Sequence, residues 1–281
     1  MIETAAIVGV GLIGGSFGLA LRAAGFRGGI LGVSSPPAIE AARARGAIDR
    51  GASLEEAARA ADLIYLAQPI SRILETLERL GPLVRPDALV TDAGSTKRAI
   101  VTKARECLGP ASFLGGHPMA GKEARGAEAA SADLFARRPY LLVTPERKTA
   151  AMDEFVSWVE AAGALPRWMS AEEHDRLVAA SSHVPQLVST ALASSLGGRA
   201  DASEVAAAAG PGLRDMTRLA MSSYEIWRDI LATNSDEIAA ALDGVQEELA
   251  RIRTALEGGP MQERFENASR FAARMRRPAQ D

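Results

Sequence analysis

Three short segments set polar side chains among small or apolar residues: Asp92–Lys97, Gly116–Gly121 and Gly210–Arg218. The first two follow predicted β-strands, and they contain Ser95 and His117 respectively. Because strand carboxyl ends in a doubly wound sheet face the ligand crevice, we expect both side chains near a bound ligand. His117 is therefore a candidate functional residue, and the alternative is a structural loop histidine.

A glycine-rich turn follows the first predicted strand. The segment Gly9–Gly14 reads GVGLIG, and a predicted helix, Ser16–Ala24, comes next. In this setting Gly9 permits a tight turn, and Gly11 lets the backbone approach a pyrophosphate. Gly14 allows close packing of helix on strand, while the helix N-terminus supplies amide donors. The pattern predicts a dinucleotide site, and a plain glycine-rich turn is the alternative.

The end of the second predicted strand leaves the type of dinucleotide open. An Asp or Glu there usually hydrogen-bonds the ribose of NAD, whereas this chain has Ser34 and Ser35. An acidic group would repel a ribose 2′-phosphate, so its absence leaves NADP open, with Arg43 or Arg45 as phosphate partners. The predicted cofactor is therefore NAD or NADP. Its predicted contacts are Gly9, Gly11, Leu12, Ile13, Gly14, Ser34, Ser35, Gln68 and Pro69.

The first part of the chain alternates short apolar runs with helical stretches, which is typical of a parallel sheet covered by helices. The predicted strands are 5–10, 29–33, 63–67, 88–92, 113–115, 140–144 and 165–169. Ser170 and Glu173 have the spacing of a capping box and open a long helical pattern through Ser195. We therefore predict an α/β class, with a dinucleotide-binding domain over residues 1–169 and an all-α domain over residues 170–281.

Bulk properties exclude several classes of protein. A net charge of -3 provides no basic field for nucleic acid, so a few placed arginines must hold any anionic ligand. The single cysteine, Cys107, excludes an intramolecular disulfide and a cysteine metal cluster, and it fits a reducing cytoplasm. We predict no metal site. No run of about 18 apolar residues occurs, so no membrane association is predicted. Little chain precedes Thr4 or follows the helical region, so we expect no fused regulatory domain.

Further motifs carry a specific resemblance. The strings VGVGLIGGS, DAGSTK, GGHPMAGKEARG, SSHVPQ and GPGLRDMTR occur in the order and approximate spacing of prephenate/arogenate dehydrogenases. The chain resembles that family along nearly its whole length. The resemblance implies a Rossmann-type domain followed by a helical domain through which two subunits intertwine, and hence a homodimer. It also implies oxidative decarboxylation of prephenate to 4-hydroxyphenylpyruvate, or of arogenate to tyrosine, in tyrosine biosynthesis.

The resemblance also implies roles for individual residues. His117 would take the proton of the substrate's ring hydroxyl as hydride leaves the same carbon for the nicotinamide, and Ser95 would orient both groups. Arg218 would grip a substrate carboxylate, which a guanidinium can bind with two parallel hydrogen bonds. Asp215, three residues earlier on the expected helical face, would pair with Arg218 and fix its rotamer. The alternative for that pair is an ordinary surface ion pair.

The residues that would select the substrate side chain depart from the family pattern. His183 lies on the long predicted helix, and many family members have a second histidine where this chain has Gln186. Glu123, six residues beyond His117, either favours the ammonium group of arogenate or is simply solvated. We interpret His174, near the helix start, as structural.

Two other functions remain open from the sequence. A dehydrogenase of the 3-hydroxy-acid or 6-phosphogluconate type shares the opening motif and a helical second domain. Such enzymes generally use a lysine of the second domain for proton transfer, and no lysine follows Lys148 here. A catalytically silent dinucleotide sensor is the other alternative. It would bind NAD(P)H and tolerate the loss of His117, whereas an enzyme would not.

Overall fold

Two β-sheets and the helices around them form the amino-terminal part of the chain, and helices alone form the rest. The computed structural model describes residues 1–109 and 112–276, so the end of the predicted all-α domain, residues 277–281, lies outside the described residues. Within those two ranges, no helix has both the length and the apolar character needed to cross a bilayer.

The first sheet contains six parallel strands. They are β1 (Thr4–Val8), β2 (Gly29–Val33), β3 (Arg50–Gly51), β4 (Leu63–Leu66), β5 (Leu89–Asp92) and β6 (Ser112–Leu114). Their order across the sheet is β3-β2-β1-β4-β5-β6. The direction of winding reverses between β1 and β4, and such a reversal opens a ligand crevice at the carboxyl ends of the strands.

Helices cover both faces of this sheet. They are α1 (Leu12–Ala23), α2 (Pro36–Ala44), α3 (Leu54–Ala60), α4 (Ile70–Leu80) and α5 (Arg98–Cys107). Alternate residues of β1 enter different cores: Ala5 and Ile7 pack with Phe17 of α1, on one face. Ala6 and Val8 join the core on the other face. Because both faces are buried, the strands read as continuous apolar runs rather than as alternating patterns.

Three further strands form a separate, smaller sheet that the sequence pattern did not predict. They are β7 (Gly116–Pro118), β8 (Pro139–Val143) and β9 (Leu165–Met169), with α6 (Ala150–Ala161) before β9. We expected the strands at 140–144 and 165–169 to continue the parallel sheet. Instead, β8 pairs antiparallel with β7 and parallel with β9. One residue, Gly115, separates the three-residue β7 from β6, and so short a strand leaves no periodic pattern in the sequence.

Aromatic side chains fill the space between the two sheets. The ring of Phe17 stacks on Tyr65, with centroids 4.0 Å apart. Phe155 of α6 lies 6.0 Å from Phe17 and 6.2 Å from Tyr140 of β8. All four rings are buried, so this cluster holds the small sheet against the large one.

The long helix predicted from Ser170 to Ser195 is interrupted in the structure. The hydroxyl of Ser170 accepts a 3.0 Å hydrogen bond from the amide of Glu173, as the capping pattern predicts, and α7 covers Ala171–Val178. A π-helical turn, Ala179–His183, separates it from α8 (Val184–Gly197). Pro185, in the first turn of α8, has no backbone N–H to donate to the preceding turn. The missing i→i−4 hydrogen bond explains why that turn is π-helical rather than α-helical.

The rest of the described chain is helical. It contains α9 (Ala202–Ala207), α10 (Pro211–Thr217), α11 (Tyr224–Thr233), α12 (Ser235–Ala255) and α13 (Met261–Arg276). A 3-10 turn, Arg218–Met221, lies between α10 and α11. Contacts of α11 with α4, and of α7 with α5, bring these helices against the first sheet domain.

Candidate active site

The glycine-rich turn lies at the reversal point of the sheet, between β1 and α1. Gly9 has a φ of 92°, which favours glycine, and a Cβ there would lie 2.6 Å from the carbonyl oxygen of Ala67. A Cβ on Gly14 would overlap the carbonyl oxygen of Gly9. A Cβ on Gly11 would meet no atom within 4 Å, so its backbone faces open space at the N-terminus of α1. The turn fits a dinucleotide pyrophosphate, and a side chain on Gly11 would fill the space that the pyrophosphate needs.

The other predicted cofactor contacts lie around this turn. Leu12 and Ile13 begin α1, so their amides have no partner within the helix and are available to a phosphate. Gln68 and Pro69 follow β4, and a Cβ on Gly9 would lie 2.9 Å from Cγ of Gln68, so this side chain lies close beside the glycine turn. The hydroxyl of Thr76 donates a 2.9 Å hydrogen bond to the Gln68 amide oxygen and orients that side chain. The structure therefore brings this part of the predicted set to one crevice.

Ser34 and Ser35 lie at the end of β2, where α2 begins. A surface groove there is lined by Ser34, together with Glu40 and Arg43 of α2. The guanidinium of Arg45 is directed elsewhere, because it donates a 2.6 Å hydrogen bond to a backbone carbonyl oxygen far along the chain. Of the two arginines considered for a phosphate, only Arg43 lines this groove.

His117 lies on β7, opposite Leu141 of β8. Its Nδ1 is 2.9 Å from Nε2 of His174 on α7, and Nδ1 of His174 is 2.8 Å from a carboxylate oxygen of Asp175. The Asp175 carboxylate also accepts hydrogen bonds from the amide of Lys97 at 2.7 Å, and from the next amide at the start of α5 at 3.0 Å. The interpretation of His174 as purely structural is incomplete, since this ring contacts the predicted base. An adjacent His-Asp pair at a helix start was the available sequence signal.

A buried ion pair lies behind His117. The ammonium of Lys97 donates to the carboxylate of Asp92, and both side chains are fully buried. Lys97 Nζ also donates to the carbonyl oxygen of Gly116 at 2.8 Å, while the Gly116 amide donates to Asp92 at 3.1 Å. The pair therefore holds the backbone amide and the carbonyl oxygen of Gly116, the residue before His117. Sequence reasoning selected this segment only for Ser95, although an Asp and a Lys among small residues were a usable signal.

Ser95 lies in the same loop, between β5 and α5, and is half-buried. Among the described residues, its hydroxyl forms no hydrogen bond with His117; that ring is instead bonded through Nδ1 to His174. The loop position agrees with the prediction. The role of Ser95 in orienting His117 stays a prediction, and the side chain that contacts the ring is that of His174.

The environment keeps the site histidines neutral. Burial lowers the pKa of His117 well below its ordinary value, and positive charge at His174, Lys97 and His183 would lower it further. Burial lowers the pKa of His174 as well, although the Asp175 carboxylate acts in the opposite direction. Burial also lowers the pKa of Lys97 against the effect of Asp92. A neutral His117 at ordinary pH is the form able to accept a proton.

His183 and Gln186 lie on the interrupted helix and both are buried. Nδ1 of His183 is 3.3 Å from the side-chain amide nitrogen of Asn234. The His183 ring meets the Trp227 ring edge to face, with centroids 6.0 Å apart. The Gln186 amide donates a 2.8 Å hydrogen bond to the carbonyl oxygen of Leu219. Gln186 thereby links α8 to the turn that contains the predicted carboxylate-binding arginine.

Arg218 does not pair with Asp215 in the structure, so that prediction is wrong. The α-helix α10 ends at Thr217, whose ψ of 0° departs from the helical value, so the helix expected to carry both residues ends before Arg218. The carboxylate nearest the Arg218 guanidinium among the described ion pairs is that of Glu123, at 4.0 Å. Both side chains are largely exposed, at 62% and 91%, so the contact leaves the guanidinium free to bind an anion.

These features define a class of protein: a Rossmann-type, nicotinamide-dinucleotide-dependent dehydrogenase with a helical second domain. A family model described as "Prephenate dehydrogenase, nucleotide-binding domain" matches residues 17–165. A second, "Prephenate dehydrogenase, dimerization domain", matches residues 170–275. The chain belongs to the prephenate dehydrogenase family, and it is an oxidoreductase. The predicted family and α/β fold class are confirmed.

Named relatives agree with this assignment. Prephenate dehydrogenase of Bacillus subtilis (strain 168) is 36% identical over an alignment of 282 positions, which covers 96% of this chain and 74% of that one. The structure resembles prephenate dehydrogenase of Aquifex aeolicus in complex with hydroxyphenyl propionate and NAD+, with a TM-score of 0.87, 30% identity and coverage of 98% and 96%. Arogenate dehydrogenase of Synechocystis matches with a TM-score of 0.80, 30% identity and coverage of 96% of each chain.

We expect the fold to lose stability in mild acid. All three histidines of the chain have lowered pKa values in the folded state, that of His183 to about 4, whereas unfolded histidines titrate at roughly 6.5. The unfolded chain therefore binds more protons below about pH 6.5, and the free energy of unfolding falls as pH drops from there toward about 4. Each histidine contributes at most about 1.4 kcal/mol per pH unit. Denaturant unfolding at several pH values measures the slope.

The variant His183→Gln distinguishes the loss of stability caused by histidine protonation from the loss caused by carboxylate protonation. Carboxylates with lowered pKa values, such as Asp175, lose their contribution only below about pH 4. The variant should have a shallower slope in the histidine window because one titrating group is gone. An identical slope in the variant and the wild type would contradict the assignment.

Proposed function

We propose that this chain catalyses the oxidative decarboxylation of prephenate to 4-hydroxyphenylpyruvate, with NAD or NADP as hydride acceptor, in tyrosine biosynthesis. The observation that carries the proposal is the position of the His117 imidazole. His117 lies on β7 directly after Gly116, whose amide donates to Asp92 at the carboxyl end of β5, and the dinucleotide crevice opens at this end of the sheet. The family and the ligands of the Aquifex relative support the same reaction.

His117 has a defined task in this reaction. The imidazole takes the proton of the ring hydroxyl while the carbon that bears the hydroxyl loses hydride, so a ring carbonyl forms. When bound, the nicotinamide supplies the hydride acceptor. Loss of the ring carboxylate as carbon dioxide leaves its electron pair in the ring, which becomes aromatic, and the phenolate oxygen recovers the proton from His117. The atoms and charges balance without another reactant, so positioning is the main task of the protein.

The substrate-binding residues form the second part of the proposal. Arg218 binds a substrate carboxylate with its exposed guanidinium. Ser95 hydrogen-bonds the ring hydroxyl from the loop after β5, and Glu123 lies beside Arg218. The remaining proposed substrate contacts, all from the helical domain, are His183, Gln186 and Asp215.

Arogenate is the second candidate substrate, which would give tyrosine directly. One observation favours it: the carboxylate of Glu123 lies 4.0 Å from the Arg218 guanidinium, so a carboxylate and a guanidinium stand together. Such a pair matches an amino acid, whose ammonium and carboxylate groups are also adjacent. In prephenate the ammonium is replaced by a keto group, which needs no carboxylate partner.

The cofactor proposal concerns the groove after β2. Ser34 and Ser35 place no negative charge where NAD-selective proteins usually have one, and Arg43 lines the same groove. We therefore propose that a ribose 2′-phosphate is accepted there, while Glu40 in the same groove limits the preference for NADP.

The helical domain leaves large apolar side chains exposed, which supports the proposed homodimer. We propose that a second copy of the chain covers them and that the domain boundary lies between residues 169 and 170. The exposed residues of this domain include Met221, Tyr224, Leu249, Leu256, Phe265, Phe271 and Met275. Exposed apolar surface of this extent usually marks an association surface.

The first experiment measures NAD(P)H formation by the purified protein with prephenate or arogenate, each with NAD and NADP. We expect turnover of prephenate by the wild type. His117→Ala should lower kcat by about 10²–10⁴-fold, because the base is lost, with dinucleotide affinity nearly unchanged. Inactivity in all four combinations by a folded, dinucleotide-binding protein would contradict the proposed function. Unchanged turnover in His117→Ala would contradict the choice of base.

Replacement of Arg218 tests the carboxylate site. Arg218→Ala should raise KM for the ring substrate by about 10–100-fold, since a charge-assisted hydrogen bond contributes about 1.5–3 kcal/mol. Steady-state kinetics measures the change, and Arg214→Ala, on α10 four residues before Arg218, serves as the matched control. Equal effects of the two substitutions would show a general charge effect rather than a specific clamp.

Arg43→Ala tests the phosphate groove. The variant should lose about tenfold in kcat/KM with NADP, the equivalent of about 1.4 kcal/mol, and keep its value with NAD. Glu40→Gln is the matched variant of opposite sign and should improve the use of NADP. A parallel loss with both cofactors in Arg43→Ala would indicate damage to α2 instead.

A further inference from the structure

A line of three side chains leads from a buried carboxylate to the catalytic base. Asp175, His174 and His117 are joined by contacts of 2.8 Å and 2.9 Å. We infer that the His174–Asp175 pair selects the tautomer of His117, with the proton on Nδ1 and the lone pair on Nε2. The catalytic consequence rests on the proposed function, whereas the tautomer itself is a property of the free protein.

The hydrogen-bond directions follow from Asp175. An ionised carboxylate only accepts hydrogen bonds. Burial raises the pKa of Asp175, but hydrogen bonds from His174 and from two backbone amides outweigh it, and the pKa is lowered overall. The carboxylate is therefore ionised at neutral pH, and Nδ1 of His174 must carry the proton in their 2.8 Å contact.

The tautomer of His117 then follows from that of His174. A neutral His174 with its proton on Nδ1 has a lone pair on Nε2, so that atom accepts. The atom it contacts, at 2.9 Å, is Nδ1 of His117, which must therefore donate. A neutral His117 has one ring proton, and the assignment leaves its Nε2 free to accept the proton of the substrate hydroxyl. The opposite tautomer would present an N–H to the substrate and stop the reaction.

Doubly protonated His174 would reverse this direction, and the surroundings oppose it. Burial lowers the pKa of His174, and the buried ammonium of Lys97 acts in the same direction. The Asp175 carboxylate acts the other way, but its lone pairs are shared with two backbone amides and with the guanidinium of Arg98, 3.3 Å away. Neutral His174 is the form that agrees with these contacts.

The carboxylate is rigidly placed, as such a function requires. Asp175 is fully buried, and its own carbonyl oxygen accepts a 2.8 Å hydrogen bond from the side-chain amide of Asn234, the residue before α12. Its carboxylate accepts hydrogen bonds from the backbone amides at the start of α5. Contacts at the starts of α5 and α12 therefore hold Asp175 from two sides. When His117 takes a proton, the negative charge of Asp175, relayed through His174, stabilises the imidazolium that forms. Both residues are positioning residues, because neither contacts the reacting atoms.

The direct test is ¹⁵N NMR of histidine-labelled protein at neutral pH, which distinguishes protonated from unprotonated ring nitrogens. The chain has only three histidines, so single His→Gln variants assign every resonance. We expect a protonated Nδ1 and an unprotonated Nε2 for His117 in the wild type. A protonated Nε2 with an unprotonated Nδ1 would overturn the inference, whether or not the protein turns over prephenate.

Kinetics of two His174 variants test the consequence. His174→Leu removes the acceptor and should lower kcat by about 10²–10⁴-fold, with KM and dinucleotide affinity within about twofold. His174→Gln places an amide oxygen near the former Nε2, so it should restore most of the activity. Equal kcat values for the wild type and a folded His174→Leu variant would overturn the positioning role. If His174→Leu does not fold, a fully active His174→Gln variant whose His117 keeps its proton on Nδ1 supports the inference, and an inactive one overturns it.

Inactivity of the wild type with prephenate and arogenate is a distinct result. It would remove the proposed function, while the NMR measurement would still decide the tautomer of His117. The two failures therefore cannot be confused.

Discussion

The site depends on one buried ion pair, that of Asp92 and Lys97, because it holds the peptide that carries the base. Both side chains are fully buried, and between them they bond the amide and the carbonyl oxygen of Gly116. Removing one partner of a buried pair leaves an uncompensated charge and costs about 3–5 kcal/mol in typical cases. The pair therefore couples the stability of the core to the placement of His117.

The loop between β5 and α5, which contains Lys97, also connects the two domains. Lys97 and Arg98 donate their amides to Asp175, and the Arg98 guanidinium reaches Asp236 at 2.7 Å. On the other side, the hydroxyls of Thr96 and Thr233 are 2.8 Å apart. These contacts join the carboxyl end of β5 to the helical domain, so the base and its partners come from both domains. The contact between His117 and His174 therefore depends on how the helical domain packs against this loop.

The cofactor and substrate ends of the site differ in construction. The dinucleotide crevice is built from backbone: Gly9 and Gly14 allow the turn, and the free space beside Gly11 admits a pyrophosphate. The proposed substrate end uses side chains on short or irregular elements, including the π-helical turn at His183 and the 3-10 turn at Arg218. Backbone recognition suits a cofactor that many enzymes share, whereas side chains provide selectivity for one substrate.

The sequence alone determined the family, the α/β class and the glycine-rich crevice, and it led to the proposal of His117 as the base, because each rests on local spacing that survives in a linear pattern. The predicted pairing of Arg218 with Asp215 was wrong, since the end of α10 at Thr217 could not be located from propensity, and the interpretation of His174 as structural was incomplete. Only the tertiary structure decided the second sheet, the clamp on Gly116, and the contact between His117 and His174. These features join residues far apart in the chain, such as His117 and His174, 57 positions apart, and their geometry depends on how the separate elements pack.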